Sequence, residues 1–215
     1  MSPSTRTIGR RCNMAMVQGE PLETLYRAYA QSLLSTQFQG ELERPVFGEG
    51  PQEQPLLMLI GEAPGAQEAK SGHPFVGKAG KQLDELLAAA DIDRSQVFVT
   101  NAVKFRPVRA AEKTVANRTP SVKECRHALA LLQTELERVR PRVVATLGNV
   151  PLRSLCWLYQ LGALTVGTAH GQAVDAGAFA LFPLYHPASV IYNRALQPVL
   201  AEDIRRLKEL CEEKK

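Results

Sequence analysis

The sequence predicts an α/β fold, a three-layer αβα sandwich with a central, mainly parallel four-stranded sheet. Two observations support this prediction. Short apolar runs alternate along the chain with longer segments in which apolar residues recur every three or four positions, the spacing of a helix face. This alternation is typical of parallel sheets that are covered by helices on both faces. Hydrophobic residues at 45% and charged residues at 22% agree with a globular protein.

The elements are predicted in order from these patterns and from glycine and proline at their ends. Uninterrupted apolar runs predict strands at residues 56–60, 97–99, 143–147 and 179–184. Helical spacing predicts helices at residues 21–39, 82–87, 121–140, 151–159 and 196–211. Pro141 ends the third helix because proline cannot continue it. We expect residues 1–20 to be a flexible basic lead-in and residues 21–215 to form one domain.

Bulk properties exclude some classes of protein. The apolar runs are far shorter than the ~20 residues of a membrane helix, and no secretory signal is present, so we expect a cytoplasmic protein without membrane contact. The cysteines at positions 12, 125, 156 and 211 form no C-x-x-C pair, and we expect reduced thiols and no metal site. A net charge of +4 permits a polyanionic partner without requiring one.

Polar side chains follow three of the predicted strands at the point where each strand ends. Glu62 and Glu68 follow the first strand, Asn101 ends the second, and His186 follows the fourth. Because the carboxyl ends of parallel strands share one edge, these side chains are predicted to form a polar pocket suited to hydrolysis or base recognition. Taken singly, each has a structural alternative, such as a helix cap for Glu62 or a buried histidine for His186.

The loop after the first strand also resembles a phosphate-binding P-loop. Residues 72–79 have the pattern G-x-x-x-x-G-K-A. Ala79 lacks the hydroxyl that would bind magnesium, and Pro74 lacks a backbone donor that a phosphate cradle needs. Nucleotide hydrolysis is therefore disfavoured.

A basic stretch at residues 104–120 follows the second strand. It holds five basic residues, among them Lys104, Arg106 and Arg118, against one acid, Glu112. Such a run is either a solvated loop or a contact for phosphates.

Six motifs in this order resemble the uracil-DNA glycosylases of the family 4 type. They are GEAPG at residues 61–65, GHPFVGKAG at 72–80, TNAVKFRP at 100–107, NRTP at 117–120, LG at 147–148 and HPA at 186–188. The resemblance implies a hydrolase that removes uracil, the product of cytosine deamination, from DNA and so begins base excision repair. The partner it implies is DNA that contains uracil, and we expect a monomer.

The resemblance also implies roles for individual residues. Glu62, and second Glu68, would orient water and stabilise a cationic sugar, while His186 would donate to the departing uracil. Phe75 would stack on the base and Asn101 would bond its polar edge, beside Ala63 and Gly65. The residues implied to hold the DNA backbone are Lys104, Arg106, Asn117, Arg118, Ser189 and Arg194.

The chain departs from this family at its cofactor. Family 4 enzymes hold an iron–sulfur cluster with four cysteines, but residues 33–44 contain none, and Phe105 stands at the place of the third. Cys125 alone matches, so we expect no cluster. The residues between Val108 and Asn117 resemble an insertion, and Ala69 replaces a usual acid. A shifted specificity for hypoxanthine or xanthine, or a nucleic-acid or nucleotide binder without catalysis, remain the alternatives.

Overall fold

The structure of the chain is a computed structural model that describes residues 21–34, 45–111 and 114–214. The predicted lead-in at residues 1–20 lies outside the described residues, as do residues 35–39 of the first predicted helix.

The strands, in chain order, are β1 (Leu57–Gly61), β2 (Val97–Asn101), β3 (Val108–Ala111), β4 (Thr114–Asn117), β5 (Val143–Leu147), β6 (Val174–Asp175) and β7 (Ala180–Leu184). The helices are α1 (Leu22–Leu34), α2 (Ala66–Ser71), α3 (Lys78–Ala89), α4 (Val122–Val139), α5 (Asn149–Tyr159), α6 (Val166–Ala169), α7 (Ser189–Tyr192) and α8 (Leu196–Glu213). A 3-10 turn, Arg94–Gln96, precedes β2.

The main sheet confirms the predicted fold class. Its strand order is β2-β1-β5-β7-β6, and the first four of these strands are parallel. They are the four predicted strands. The fifth strand, β6, was not predicted because it contributes only two residues, which pair antiparallel with β7.

Alternating residues of the strands enter two cores, one on each face of the sheet. Met58 and Ile60 of β1 pack with α1, α4 and α5 on one face. Leu57 and Leu59 pack with α3 and α8 on the other face. Both sets are fully buried, which explains why the strands appear in the sequence as continuous apolar runs.

The register of the parallel strands brings their carboxyl ends together. Gly61 pairs with Asn101 between β1 and β2, and Leu147 pairs with Leu184 between β5 and β7. The loops after β1, β2 and β7 therefore leave the sheet at one edge, as the sequence predicted.

Two features of the connections differ from the prediction. The basic stretch contains an antiparallel hairpin, β3–β4, in which Val108 pairs with Asn117. The loop after β1 contains the short helix α2, which was predicted as loop because it spans only six residues. In the described residues, no helix is long and apolar enough to span a membrane.

Candidate active site

A cavity of about 380 Å³ lies at the carboxyl edge of the main sheet. The loops after β1 and β7, the start of α3 and the last residues of β2 and β4 contribute to its wall. The residues that line it are Ala63, Pro64, Gly65, Ala66, Gln67, Glu68, Phe75, Gly77, Lys78, Ala79, Asn101, Asn117, His186 and Ala188. The structure thus brings together seven of the predicted substrate, catalytic and DNA-contact residues, with Glu68, Asn101 and His186 at their centre.

The Phe75 ring and the Asn101 amide meet above Gly61, at the end of β1. A Cβ atom on Gly61 would lie 2.6 Å from Cζ of Phe75 and would also clash with Oδ1 of Asn101. Glycine is therefore required here so that both side chains can approach the strand. The result is an aromatic face beside an amide, a pair suited to a flat polar ring.

The main chain of Phe75 adopts a left-handed conformation with φ of 58°. This conformation costs a residue with a Cβ about 1–2 kcal/mol and is found at functional sites where the surroundings enforce it. Gly80 provides part of that enforcement, because its Cα packs against the Phe75 carbonyl oxygen with no space for a side chain. The ring, only 9% exposed, is held in place by the loop backbone.

Glu68 joins two segments of the glycine-rich loop. Its Oε2 accepts a hydrogen bond from the Gly65 N–H at 3.1 Å, and its Oε1 accepts one from the Gly77 N–H at 2.7 Å. The carboxylate packs against both glycines, where added Cβ atoms would lie 2.7 and 2.8 Å from its oxygens. Glu68 therefore places a fixed negative charge in the cavity wall.

His186 presents a neutral ring with a defined tautomer. Its Nδ1 accepts a hydrogen bond from the Ala188 N–H at 3.1 Å, so the ring proton is on Nε2. Burial lowers the pKa of His186, because a charged imidazolium loses hydration there. The side chain is thus a neutral hydrogen-bond donor at neutral pH.

Glu62 is half-buried and lies outside the set of cavity-lining residues. Burial raises the pKa of its carboxyl group, while a hydrogen bond with Thr119 and the charge of Arg153 oppose that rise. Its neighbour in the chain, Ala63, lines the cavity. The partners of the carboxylate lie just before α4, at Thr119, and in α5, at Arg153.

Arg106 orients Asn117 in the cavity wall. Its Nε donates to Oδ1 of Asn117 at 2.6 Å. The amide nitrogen of Asn117 then lies on the side of Gly65, 3.7 Å from the position of an added Cβ. Arg106 itself is 8% exposed, and in this structure its side chain supports Asn117.

The structure places Lys104, a predicted DNA contact, inside the core. Its side chain has no exposed surface, and Nζ donates to Oε2 of Glu135 at 2.5 Å. The same ammonium donates to Oγ1 of Thr100 and to the Asn101 carbonyl oxygen, both at 2.6 Å. Burial lowers the pKa of Lys104, while the charge of Glu135 opposes this. Lys104 therefore supports the end of β2 from inside the core.

The remaining predicted DNA contacts differ in their surroundings. Arg118 forms two hydrogen bonds of 2.7 Å with the Glu124 carboxylate, so much of its charge is used within the fold. Ser189 donates to the His186 carbonyl oxygen at 2.6 Å and thereby shapes the turn after β7. Arg194 is exposed between α7 and α8, outside the cavity lining.

Several cavity residues were not predicted. Lys78 and Ala79 line the cavity at the start of α3. Pro64, Gln67 and Ala188 line it from other segments. The sequence does carry a signal for the first two, because they belong both to the G-x-x-x-x-G-K-A pattern and to the family motif at residues 72–80.

The fold and the cavity define an α/β enzyme whose cavity is lined by an aromatic ring, an amide and a neutral imidazole. The family model described as the Uracil DNA glycosylase superfamily matches residues 47–208, and the chain belongs to this superfamily.

Curated relatives agree with this assignment. The chain is 35% identical over 174 residues to a Type-4 uracil-DNA glycosylase of Saccharolobus solfataricus, covering 79% of this chain and 77% of the relative. It is 32% identical over 166 residues to a Type-4 uracil-DNA glycosylase of Archaeoglobus fulgidus, covering 75% and 80%. A Type-5 uracil-DNA glycosylase of Pyrobaculum aerophilum is 32% identical over 167 residues, covering 70% of each chain. The resemblance seen in the motifs is confirmed.

Proposed function

We propose that this protein is a DNA glycosylase that hydrolyses the N-glycosidic bond of uracil in DNA, the first step of base excision repair. The observation that carries the proposal is the convergence of Phe75, Asn101 and His186 on one cavity in a chain of this superfamily. A stacked base inside a duplex cannot reach such a cavity, so the uracil nucleotide leaves the stack first.

Recognition of the base is assigned to the floor of the cavity. The Phe75 ring offers a stacking face, and the Asn101 amide offers both a donor and an acceptor to the polar edge of uracil. Asn101 is 4% exposed and its carbonyl oxygen is bound by Lys104, so the segment that carries the amide is ordered before substrate binds. A preordered site loses little entropy on binding.

Bond cleavage leaves positive charge on the sugar and negative charge on the departing uracil. We assign stabilisation of the uracil anion to Nε2–H of His186, because a neutral donor placed in advance acts as an oxyanion-hole group does. The Glu68 carboxylate, fixed in the cavity wall, is assigned to stabilisation of the sugar cation.

Activation of water is assigned to Glu62. A carboxyl group whose pKa is raised by burial is a better general base than an exposed one. The bond between C1′ and N1 of uracil breaks with its electron pair on uracil, water adds its oxygen to C1′ and gives one proton to Glu62, and the uracil anion takes up a proton after it leaves. Ala63 and Gly65, which line the cavity beside these carboxylates, leave space for the sugar.

The test is incubation of purified protein with labelled oligonucleotides that carry uracil, hypoxanthine or xanthine, followed by alkaline cleavage of abasic sites. We expect cleavage at uracil, and a single-turnover rate about 10²–10³-fold lower in His186→Ala. Glu62→Gln tests the activation of water, and Glu68→Gln tests the stabilisation of the sugar cation. Absence of cleavage in single and double strands at high enzyme concentration would refute the proposal, and cleavage at hypoxanthine or xanthine alone would revise the substrate.

We also infer that the enzyme works without an iron–sulfur cluster. The residue at the third cysteine position, Phe105, is 1% exposed within the apolar core. Burial raises the pKa of the Cys125 thiol, and the hydrogen bond and charge of Arg153, whose Nη2 lies 3.9 Å from Sγ, only partly oppose that rise, so a thiolate ligand of iron is disfavoured. These residues do not fit a four-cysteine cluster. An absorption spectrum tests this inference, since broad visible absorption by the purified protein would refute it.

A monomer that acts in the cytoplasm completes the proposal. The described cysteines at positions 125, 156 and 211 form no disulfide with one another, which agrees with a reducing compartment. Light scattering on the eluting protein would reveal a dimer if this proposal is wrong.

A further inference from the structure

We propose that Arg126 and Arg153, which both pack against Trp157, form a second site for DNA backbone phosphates beside the cavity. We call these residues the Arg–Trp patch. The inference rests on the proposed function for its ligand, the DNA strand that continues beyond the flipped nucleotide.

The geometry of the patch is that of two cations on one indole. The guanidinium carbon of Arg126 lies 4.5 Å from the ring centroid of Trp157, and that of Arg153 lies 5.2 Å from it. Arg126 is exposed, whereas Arg153 and Trp157 are half-buried. An arginine held on an aromatic face keeps its N–H groups available at the edge, and it loses less rotamer freedom when an anion binds.

The patch lacks a full set of internal partners. In the described parts of the chain, neither Arg126 nor Arg153 forms an ion pair with a carboxylate within 4 Å, although the charges of Glu62 and Arg153 interact and Nη2 of Arg153 donates to Sγ of Cys125 at 3.9 Å. The buried Nε of Arg153 has no hydrogen-bond partner among the described residues. Two positive charges on one ring repel each other, so an external anion that contacts both is favoured.

The position of the patch connects it to the cavity. Arg126 lies in the second turn of α4 and Arg153 in the second turn of α5, and both helices begin at the edge of the sheet that carries the cavity. Glu62 interacts with the charge of Arg153 and forms a hydrogen bond with Thr119. Ala63 and Asn117, the near neighbours of the two hydrogen-bonded residues in the chain, line the cavity.

A phosphodiester backbone matches these features better than other anions do. DNA bound at the cavity has to leave it along the edge of the sheet, and guanidinium groups bind phosphate oxygens in a bidentate manner. The amino-terminal ends of α4 and α5 add positive potential at the same place. An acidic protein surface is the alternative partner for two arginines. In that case, Arg126→Gln would bind DNA as tightly as the wild type does.

The test uses Arg126→Gln, because this exposed side chain can be changed without disturbing the core. The matched control is Arg205→Gln, an exposed arginine on α8 whose partners Glu202 and Glu209 lie on the same helix. Binding of uracil-free oligonucleotides is measured by fluorescence anisotropy across a series of salt concentrations. We expect Arg126→Gln to weaken binding about fivefold and to reduce the slope of log Kd against log salt by about one, with no change in the control. Its single-turnover excision rate at saturating enzyme is expected to equal that of the wild type.

Trp157 supplies a local second readout because it is the chain's one tryptophan. DNA binding at the patch should change its emission in the wild type and in Arg205→Gln. An unchanged emission, together with an Arg126→Gln variant that binds DNA as the control does, would overturn the inference and leave uracil excision intact. Absence of excision by a wild type that still binds DNA through Arg126 would refute the proposed function and leave the patch in place.

Discussion

The two sides of the cavity are built by different means. The loop side, residues 61–80, is shaped by glycines that allow close approach and by Glu68, which binds two backbone N–H groups. The helix side, residues 101–124, is shaped by charged side chains that form hydrogen bonds. Lys104 donates to Glu135, Arg106 to Asn117 and Arg118 to Glu124. The loop side should therefore be sensitive to added volume, and the helix side to the loss of a charge.

The largest expected effect is on the helix side, from Lys104→Met. Removal of the ammonium leaves Glu135 charged and fully buried without its partner, which should lower the free energy of unfolding by about 3–5 kcal/mol. Urea denaturation measures this loss. The double variant Lys104→Met with Glu135→Leu should regain most of it, because an apolar pair replaces the ion pair. A single variant as stable as the wild type would show that the pair is dispensable.

The next effect is on the loop side, from Gly80→Ala. The new Cβ would clash with the Phe75 carbonyl, so the loop has to move, at about 1–3 kcal/mol of stability and with weaker substrate binding. Gly167→Ala is the matched control, since its Cβ would meet no atom within 4 Å. Thermal unfolding and the KM for uracil-containing DNA should separate the two variants. Equal behaviour of both would refute the role given to Gly80.

A smaller effect is expected from Glu68→Gln, which keeps the shape of the side chain. One of the two N–H donors, of Gly65 or Gly77, would then face an amide NH₂ group, at a cost of about 1–2 kcal/mol. Because the charge is also lost from the cavity wall, the single-turnover rate should fall more than the stability suggests. Denaturation and excision measured on the same sample would reveal whether the two losses are separate.

The smallest effect is on the pH dependence of the helix side. Burial disfavours the charge of Glu124, but the hydrogen bonds from Arg118 and Ser121 outweigh it and hold the pKa of the folded state below its ordinary value. A lowered pKa stabilises the fold above the pKa of the unfolded state, near 4.5, and this contribution is lost as the pH falls through the folded value. Stability measured from pH 6 to pH 3 should decline more steeply in the wild type than in Glu124→Gln. Parallel profiles would contradict this assignment.

The loop side was the more predictable of the two from sequence. Its strand is a continuous apolar run, and its glycines and Phe75 belong to motifs of the family, so Phe75 and Glu68 could be placed near the cavity. The partners of Glu68 could not be predicted, because backbone N–H groups leave no signal in the sequence. Glu68 also forms its capping interaction with a glycine, Gly65, where serine or threonine is the usual signal.

The helix side was predicted less well, since a lysine beside arginines indicates an exposed basic loop. The burial of Lys104 depends on Glu135, which is far along the chain. One signal was available. Glu135 falls on the apolar face of α4, in spacing with Leu132 and Val139, and an acid at such a position needs a buried cation. The hairpin β3–β4 was missed because its strands are four residues long and carry no glycine turn motif.

The left-handed backbone of Phe75 has a consequence for changing which base the enzyme accepts. The ring's position follows from the path of the main chain between Gly72 and Gly80, because the left-handed backbone of Phe75 directs the ring toward Gly61. A smaller residue at position 75 would keep the strained backbone and lose the stacking face. We therefore expect exchange of the whole segment 72–80 to alter the range of accepted bases more than a substitution of Phe75 does.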